Sequence, residues 1–212
     1  MLAWLLLVGA LVSSAGLTDP HVLDVPYRSQ LDGSAYALSN CGPTSLSMVL
    51  AYYGIDAAPG NLRERAMQVQ HSWVDDDGGY SDSYGVFVYN LASVADGMGL
   101  RSTGLWSREG VRVDSLREWQ SADLHHEIEA DHPVIIQVTY RALPRHAGSS
   151  APDDHFIVVH GTVGGDFVYS DPLAIGGDGS DRTISAGDLA VAMGEASTPR
   201  VGFALSKLAS HL

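Results

Sequence analysis

The hydrophobic period of this chain changes near residue 133, and that change limits the fold more than any other feature. Leu46, Val49, Leu50 and Tyr53 lie at the i, i+3, i+4, i+7 spacing of one buried stripe. Their helix begins near Cys41, takes Pro43 in its first turn and stops at Gly54. A second helix is expected from about Pro59 to Val69. A third carries Phe87, Leu91, Val94, Ala95 and Met98 and closes at Gly99. A fourth spans Ser121–Ala130, ahead of His132-Pro133. Then "PVIIQVTY" (133–140), "HFIVVHG" (155–161), "DFVYSDP" (166–172) and "VGFALSK" (201–207) read as strands. Residues 185–194 suggest a short helix, and 101–113 an irregular segment or short strand. Residues 71–84 read as an acidic loop. Helices first and strands later argue for an α+β fold rather than an alternating α/β one. No repeat or long linker divides the chain, so residues 22–208 are expected to form one domain.

Residues 1–17 are apolar, and Ser13-Ser14-Ala15 has the small residues of a cleavage site. Residues 1–18 therefore read as a secretory signal peptide. Because no Lys or Arg precedes the apolar run, a membrane anchor is the alternative. The expected location is secreted or extracytoplasmic. The net charge of −13 argues against nucleic acid and anionic lipid as partners. Membrane contact is expected only through an uncleaved N-terminal segment.

Cys41 is the only cysteine, so it cannot form an internal disulfide. Two readings follow. It is a small buried apolar residue, or it is a nucleophile. A helix N-terminus and a neighbouring imidazolium together lower a thiol pKa from about 8.5 to roughly 3.5–7.5. Cys41 sits at the start of a helix, so the missing partner is a histidine from elsewhere in the fold.

Among nine histidines, His155 opens an apolar strand directly after a polar loop, which places it at a strand end. If residues 161–165 form the hairpin loop, then Val159 faces Phe167, Ile157 faces Tyr169 and His155 faces Asp171. Opposed residues have Cβ atoms about 4.5–5.5 Å apart, close enough for the carboxylate to hold the ring. A tight Gly164-Gly165 turn shifts this register by three and spoils the pairing. Gln30 precedes the Cys41 helix by a loop. Its amide and the Cys41 backbone N–H are candidates for binding a developing oxyanion, an interaction worth about 2.7–4 kcal/mol in the transition state.

His160 points to the strand face opposite Val159 and reads as a packed histidine. His125, His126 and His132 read as a solvated helix face, because "HHE" lacks zinc-protease spacing. "DDDGG" (75–79) and "GGDGSD" (176–181) match no full calcium loop and read as acidic turns. No cofactor is called for.

"VPYRSQLDG…NCGPTSLSMVLAYYG", "HPVIIQV" and "DDHFIVVHG…DFVYSDP" together resemble the papain-like cysteine peptidases of the bacteriocin-processing kind, in their stand-alone and often exported branch. The likeness covers roughly residues 24–173. It implies a papain-like α+β fold with the nucleophile helix packed on an antiparallel sheet. It implies Cys41 as nucleophile, His155 as general base and acid, Asp171 as its orienting group and Gln30 as oxyanion donor. Founding members cut leader peptides after two glycines and are often fused to transporters, and that specificity is not carried over. The Gln30–Cys41 spacing is longer than in compact members, and the 71–84 loop departs from their pattern.

The expected function is hydrolysis of a peptide or protein substrate. A silent papain-like binding module is the alternative from another class. An amidase or transpeptidase on cell-wall peptide shares the chemistry. A metal-dependent hydrolase would lose activity with chelator and ignore thiol alkylation.

Overall fold

The structure is a computed structural model that describes residues 19–71, 85–104, 118–149 and 154–208. In chain order it holds β1 (His21–Val22), α1 (Cys41–Tyr52), α2 (Pro59–His71), α3 (Val88–Gly97), β2 (Leu100–Gly104), α4 (Ser121–Glu129) and β3 (Val134–Thr139). A 3-10 turn at Tyr140–Ala142 follows, then β4 (Asp154–Val163), β5 (Asp166–Ser170), β6 (Arg182–Ile184), α5 (Ala186–Gly194) and β7 (Gly202–Lys207). The strands form one sheet in the order β2-β7-β3-β4-β5-β6, with β1 paired to β4. Every pairing is antiparallel. The expected α+β class is the observed one.

The centre of the sheet is covered on both faces. Successive strand residues point to opposite sides, yet β3 is buried from Val134 to Val138 and β4 from His155 to Gly161. α1 packs against β4, α2 and α3. It is buried without a break from Gly42 to Leu50, not along a single stripe as the spacing suggests. A helix with neighbours on every side is core throughout. Its two buried serines are satisfied within the fold: Ser45 Oγ donates to the Phe156 carbonyl (3.3 Å) and Ser47 Oγ to the Ala57 carbonyl (2.6 Å).

Segments β1, β6 and the 3-10 turn are too short to carry a periodic signal and are absent from the sequence reading. Of the 101–113 segment, residues 101–104 belong to β2, paired with β7, and 105–113 lie outside the described residues. So do the apolar N-terminal run through residue 18 and residues 72–84 of the acidic loop. Among the described residues no helix is long and apolar enough to cross a membrane.

The β4–β5 hairpin corrects the expected register. Gly164 (φ 59°) and Gly165 (φ 95°) form a tight two-residue turn, with Val163 paired to Asp166. Positive φ at both central positions suits the right-handed twist of a hairpin, and glycine adopts it without strain. Phe167 therefore pairs with Thr162, not Val159. A tight turn alone would put Asp171 on the wrong face. Between Gly161 and Val159 the register shifts, leaving His160 as an extra residue in β4. Beyond this bulge Val159 pairs with Tyr169 and Val158 with Ser170. Continuing that ladder, His155 and Asp171 share a face as diagonal neighbours rather than directly opposed residues.

His160 is fully buried. Its Nε2 lies 3.1 Å from Ser170 Oγ and its Nδ1 3.2 Å from the Leu23 carbonyl. Burial pushes its pKa below the ordinary value. The unfolded ring titrates near about 6.5, so the unfolded chain takes up this proton first as pH falls. Stability is complete above that value and declines below it. The melting temperature should therefore drop between pH 7 and pH 5. His146, which burial shifts the same way, adds to the fall, so a flat profile would mean that neither ring is held neutral in the fold.

Candidate active site

Cys41 is the first residue of α1 and is half-buried. Asn40 occupies the preceding cap position but makes no side-chain cap. Its Oδ1 faces Arg63 Nη1 at 3.3 Å, and the same nitrogen donates to the Ser39 carbonyl at 3.3 Å. Arg63 comes from α2 and lies over the Tyr36 ring at 4.3 Å. Arg63 thus braces the start of α1; the Thr44 N–H is taken by the Asn40 carbonyl (2.9 Å) and the Gly42 N–H bonds the thiol. Nothing in the periodicity of α2 marks Arg63 as this brace.

His155 and Asp171 converge on Cys41 from the sheet. His155 Nε2 is 2.8 Å from Asp171 Oδ1, and both side chains are almost wholly buried. With Nε2 committed to the carboxylate, Nδ1 is the ring nitrogen that serves the thiol. Burial opposes ionisation of Cys41. Even so, the His155 hydrogen bond and charge, with the N–H groups of Phe156 and Gly42, bring its pKa below the ordinary thiol value. Burial also opposes charge on His155, but its hydrogen bonds to Asp171 and Cys41, and their charges, raise it to about 9. Asp171 is buried too, and the His155 contact and charge, the Leu173 N–H and His146 hold it below the usual carboxylate range. All three shifts favour thiolate, imidazolium and carboxylate in a row.

Several contacts fix Asp171. Its backbone N–H donates to the Gly179 carbonyl (2.8 Å), and its carbonyl accepts from Tyr27 Oη (3.2 Å). The Leu173 N–H donates to Oδ1 (2.8 Å). On the far side, His146 Nε2 stands 3.1 Å and Arg182 Nη1 3.5 Å from Oδ2. Tyr140 packs its edge against His155, with ring centres 5.0 Å apart, while its hydroxyl donates to the Leu173 carbonyl (3.0 Å). His146, Arg182 and Tyr140 are neighbours that the sequence reading missed.

Gln30 is buried. Its backbone N–H donates to the Pro172 carbonyl (2.9 Å), which links it to the residue after Asp171. Its Nε2 donates to the Ala37 carbonyl (2.8 Å), and its Oε1 has no partner among the described residues. One amide hydrogen is committed to Ala37, and the NH2 group carries a second.

The other sequence candidates lie elsewhere. His132 Nδ1 is 2.8 Å from Glu127 Oε2, and His125 packs on Phe167 with ring centres 4.5 Å apart. Residues 176–181 form the turn that carries Gly179, and Asp178 Oδ1 accepts from the Ser180 N–H. Residues 75–79 fall outside the described residues. Among the described residues, no group of three or more His, Cys, Asp or Glu side chains could hold a metal ion.

A family model described as "Peptidase_C39 like family" matches residues 22–192. The chain belongs to this family. The C39-like chain resembles a C39-like peptidase from Bacillus anthracis, with a TM-score of 0.58 and 18% identity over 90% of this chain and 98% of that one. It also resembles the peptidase domain of Streptococcus ComA, a bifunctional ABC transporter of a quorum-sensing pathway. There the TM-score is 0.52, with 15% identity over 85% of this chain and 97% of that domain. A third likeness is to a double-glycine-motif protease of an AMS/PCAT transporter solved with its leader peptide. Its TM-score is 0.50, with 19% identity over 88% of this chain and 94% of that one. No curated protein matches. At these identities the solved structures speak to the fold, which is that of the C39 papain-like peptidases.

Proposed function

We propose that this C39-like chain is an exported cysteine peptidase that hydrolyses peptide bonds through Cys41, His155 and Asp171. The observation that carries the reading is the buried Asp171–His155 hydrogen bond (2.8 Å) aimed at a half-buried thiol on a helix N-terminus. Export is read from the apolar N-terminal run alone.

In this reading the Cys41 thiolate attacks the peptide carbonyl carbon. The carbonyl oxygen takes up the charge and faces the Cys41 backbone N–H and the second amide hydrogen of Gln30. The His155 imidazolium gives its proton to the leaving amine as the C–N bond breaks, leaving a thioester. Neutral His155 then removes a proton from water. The resulting hydroxide displaces Cys41, and the acyl group leaves as a carboxylic acid. Asp171 keeps the ring oriented in both steps.

Iodoacetamide alkylation tests the reading without a known substrate, because every adduct reports on Cys41. The depressed Cys41 pKa and the elevated His155 pKa predict a thiolate present well below pH 8.5, with the ion pair lasting until His155 deprotonates at about pH 9. Hydrolysis should follow the same window, falling on its alkaline side as His155 loses its proton. In His155→Ala the hydrogen bond and charge that do most to offset burial are lost and only the Phe156 and Gly42 N–H groups remain, so the alkylation midpoint should move up toward the free-thiol value or above. A wild-type midpoint near pH 8.5, or no reaction while folded, would support the silent binding module instead.

A further inference from the structure

The outer oxygen of the buried Asp171 carboxylate is overdetermined. Oδ1 is occupied by His155 Nε2 and the Leu173 N–H, each at 2.8 Å. Oδ2 faces two donors at once, His146 Nε2 at 3.1 Å and Arg182 Nη1 at 3.5 Å. Those two nitrogens are themselves 3.0 Å apart. His146 comes from the loop after the 3-10 turn and Arg182 opens β6. Neither belongs to the hairpin that carries His155 and Asp171.

Hydrogen counting shows what the triangle can do. Nε2 of a neutral imidazole is either a donor or an acceptor. As an acceptor it takes a hydrogen from Arg182 Nη1, whose other hydrogen reaches toward Oδ2. As a donor it gives its hydrogen to Oδ2 directly and releases Arg182, which keeps its contact with the Asp178 carbonyl at 3.2 Å. Either arrangement leaves Oδ2 with a donor. A buried carboxylate oxygen without one would cost several times an ordinary hydrogen bond, and the carboxyl would turn away from His155 to find a partner.

We infer that His146 and Arg182 are paired positioning residues that hold Oδ2 of Asp171 interchangeably, and so keep Oδ1 aimed at His155. The inference rests on the peptidase reading above. Four groups face the His146 ring: Asp171, Arg182, His155 by charge, and Tyr140, which stacks on it with ring centres 4.3 Å apart. Burial, then the Arg182 and His155 charges, outweigh Asp171 and keep the ring neutral at pH 7. Acid favours the arrangement in which His146 donates.

The consequence is redundancy. In Arg182→Met, His146 switches to the donor tautomer. In His146→Ala, Arg182 closes on Oδ2 alone. Only the double variant leaves the oxygen bare. The test is the pH midpoint of Cys41 alkylation in the full chain, read beside Asp171→Asn. At pH 6 each single variant should alkylate less than about threefold slower than wild type. The midpoint of the double variant should rise by about one pKa unit, which is a tenfold loss of thiolate on the acid limb of the profile. The conservative double variant His146→Gln/Arg182→Lys restores donors to Oδ2 and should recover most of the rate. It also separates positioning from misfolding if the first double variant is unstable. Single effects that simply add on a logarithmic scale, or a double variant equal to wild type beside a slowed Asp171→Asn, overturn the shared hold. An Asp171→Asn profile identical to wild type overturns this inference alone, since an Asn amide oxygen can still orient the ring, whereas a wild-type midpoint near about pH 8.5 overturns the peptidase reading.

Discussion

Replacing Cys41 with alanine is expected to abolish peptide hydrolysis while the chain still melts cooperatively. The thiol is half-buried at the first position of α1, where alanine is a good helix former and leaves little volume empty. Besides His155, the sulfur meets only the Phe156 and Gly42 N–H groups and the edge of the core among the described residues. The chemical loss is total by comparison: without a nucleophile no thioester forms, and only the polarising donors around the oxyanion remain. A drop of roughly 10⁴-fold or more is the expected scale. The measurement is turnover of a broad fluorogenic peptide mixture by purified wild type and Cys41→Ala, with a thermal melt of each. Cys41→Ser should also be inactive, because His155 cannot hold a serine as its alkoxide at neutral pH. Activity persisting in either variant would remove the covalent scheme. Losing the thiolate also removes a charge that supports the His155 imidazolium, so the same variant should lower the His155 pKa.

The second large effect is structural. Gly179→Ala is expected to destabilise the chain by about 2–4 kcal/mol, at the upper end of single substitutions, and to disturb Asp171. A Cβ at residue 179 would stand 2.0 Å from the Asp171 carbonyl oxygen, 2.8 Å from Tyr27 Oη and 2.9 Å from Ala174 Cβ. The tyrosine could swing aside, but a backbone carbonyl cannot. The Asp171 N–H is tied to the Gly179 carbonyl at 2.8 Å, so separating the two segments costs that bond as well. Urea denaturation reads the stability, and the alkylation midpoint reads the site. A wild-type midpoint in a destabilised variant would mean that Asp171 is held by its side-chain contacts alone. Wild-type stability would show that the turn yields easily, against the packing described here.

How much of this was readable beforehand differs residue by residue. Cys41 was visible because a lone thiol before a helix-starting Gly-Pro pair has an electrostatic meaning of its own. His155 was visible because its strand is so apolar that a histidine at its end stands out. The register the sequence suggests also brings it to Asp171, but it is not the observed one. The turn was the tight one, and a bulge that no local signal announces brought the carboxylate back to the proper face. The bulge is held by long-range bonds: the Leu23 N–H donates to the His160 carbonyl (2.8 Å), and the His160 ring reaches Ser170. The Gln30 backbone is tied to the Pro172 carbonyl, a link that spacing alone does not show. His146 and Arg182 had no signature. One lies in a loop and the other in a strand of three residues, and only the folded chain brings them to one oxygen. The same limit applies to Arg63, whose helix looks like any solvated helix until Asn40 is seen beside it.

The bulge at His160 also makes the hairpin a counting device. Side-chain direction along a strand has only two values, so agreement between His155 and Asp171 is a matter of parity. Residues added at the Gly164-Gly165 tip leave both arms paired as before and do not change it. A single residue gained or lost within either arm must be absorbed by a bulge, or the two side chains part to opposite faces. Over evolutionary time the tip is therefore free to lengthen into a contact loop, while the arms can change only in steps that preserve the count.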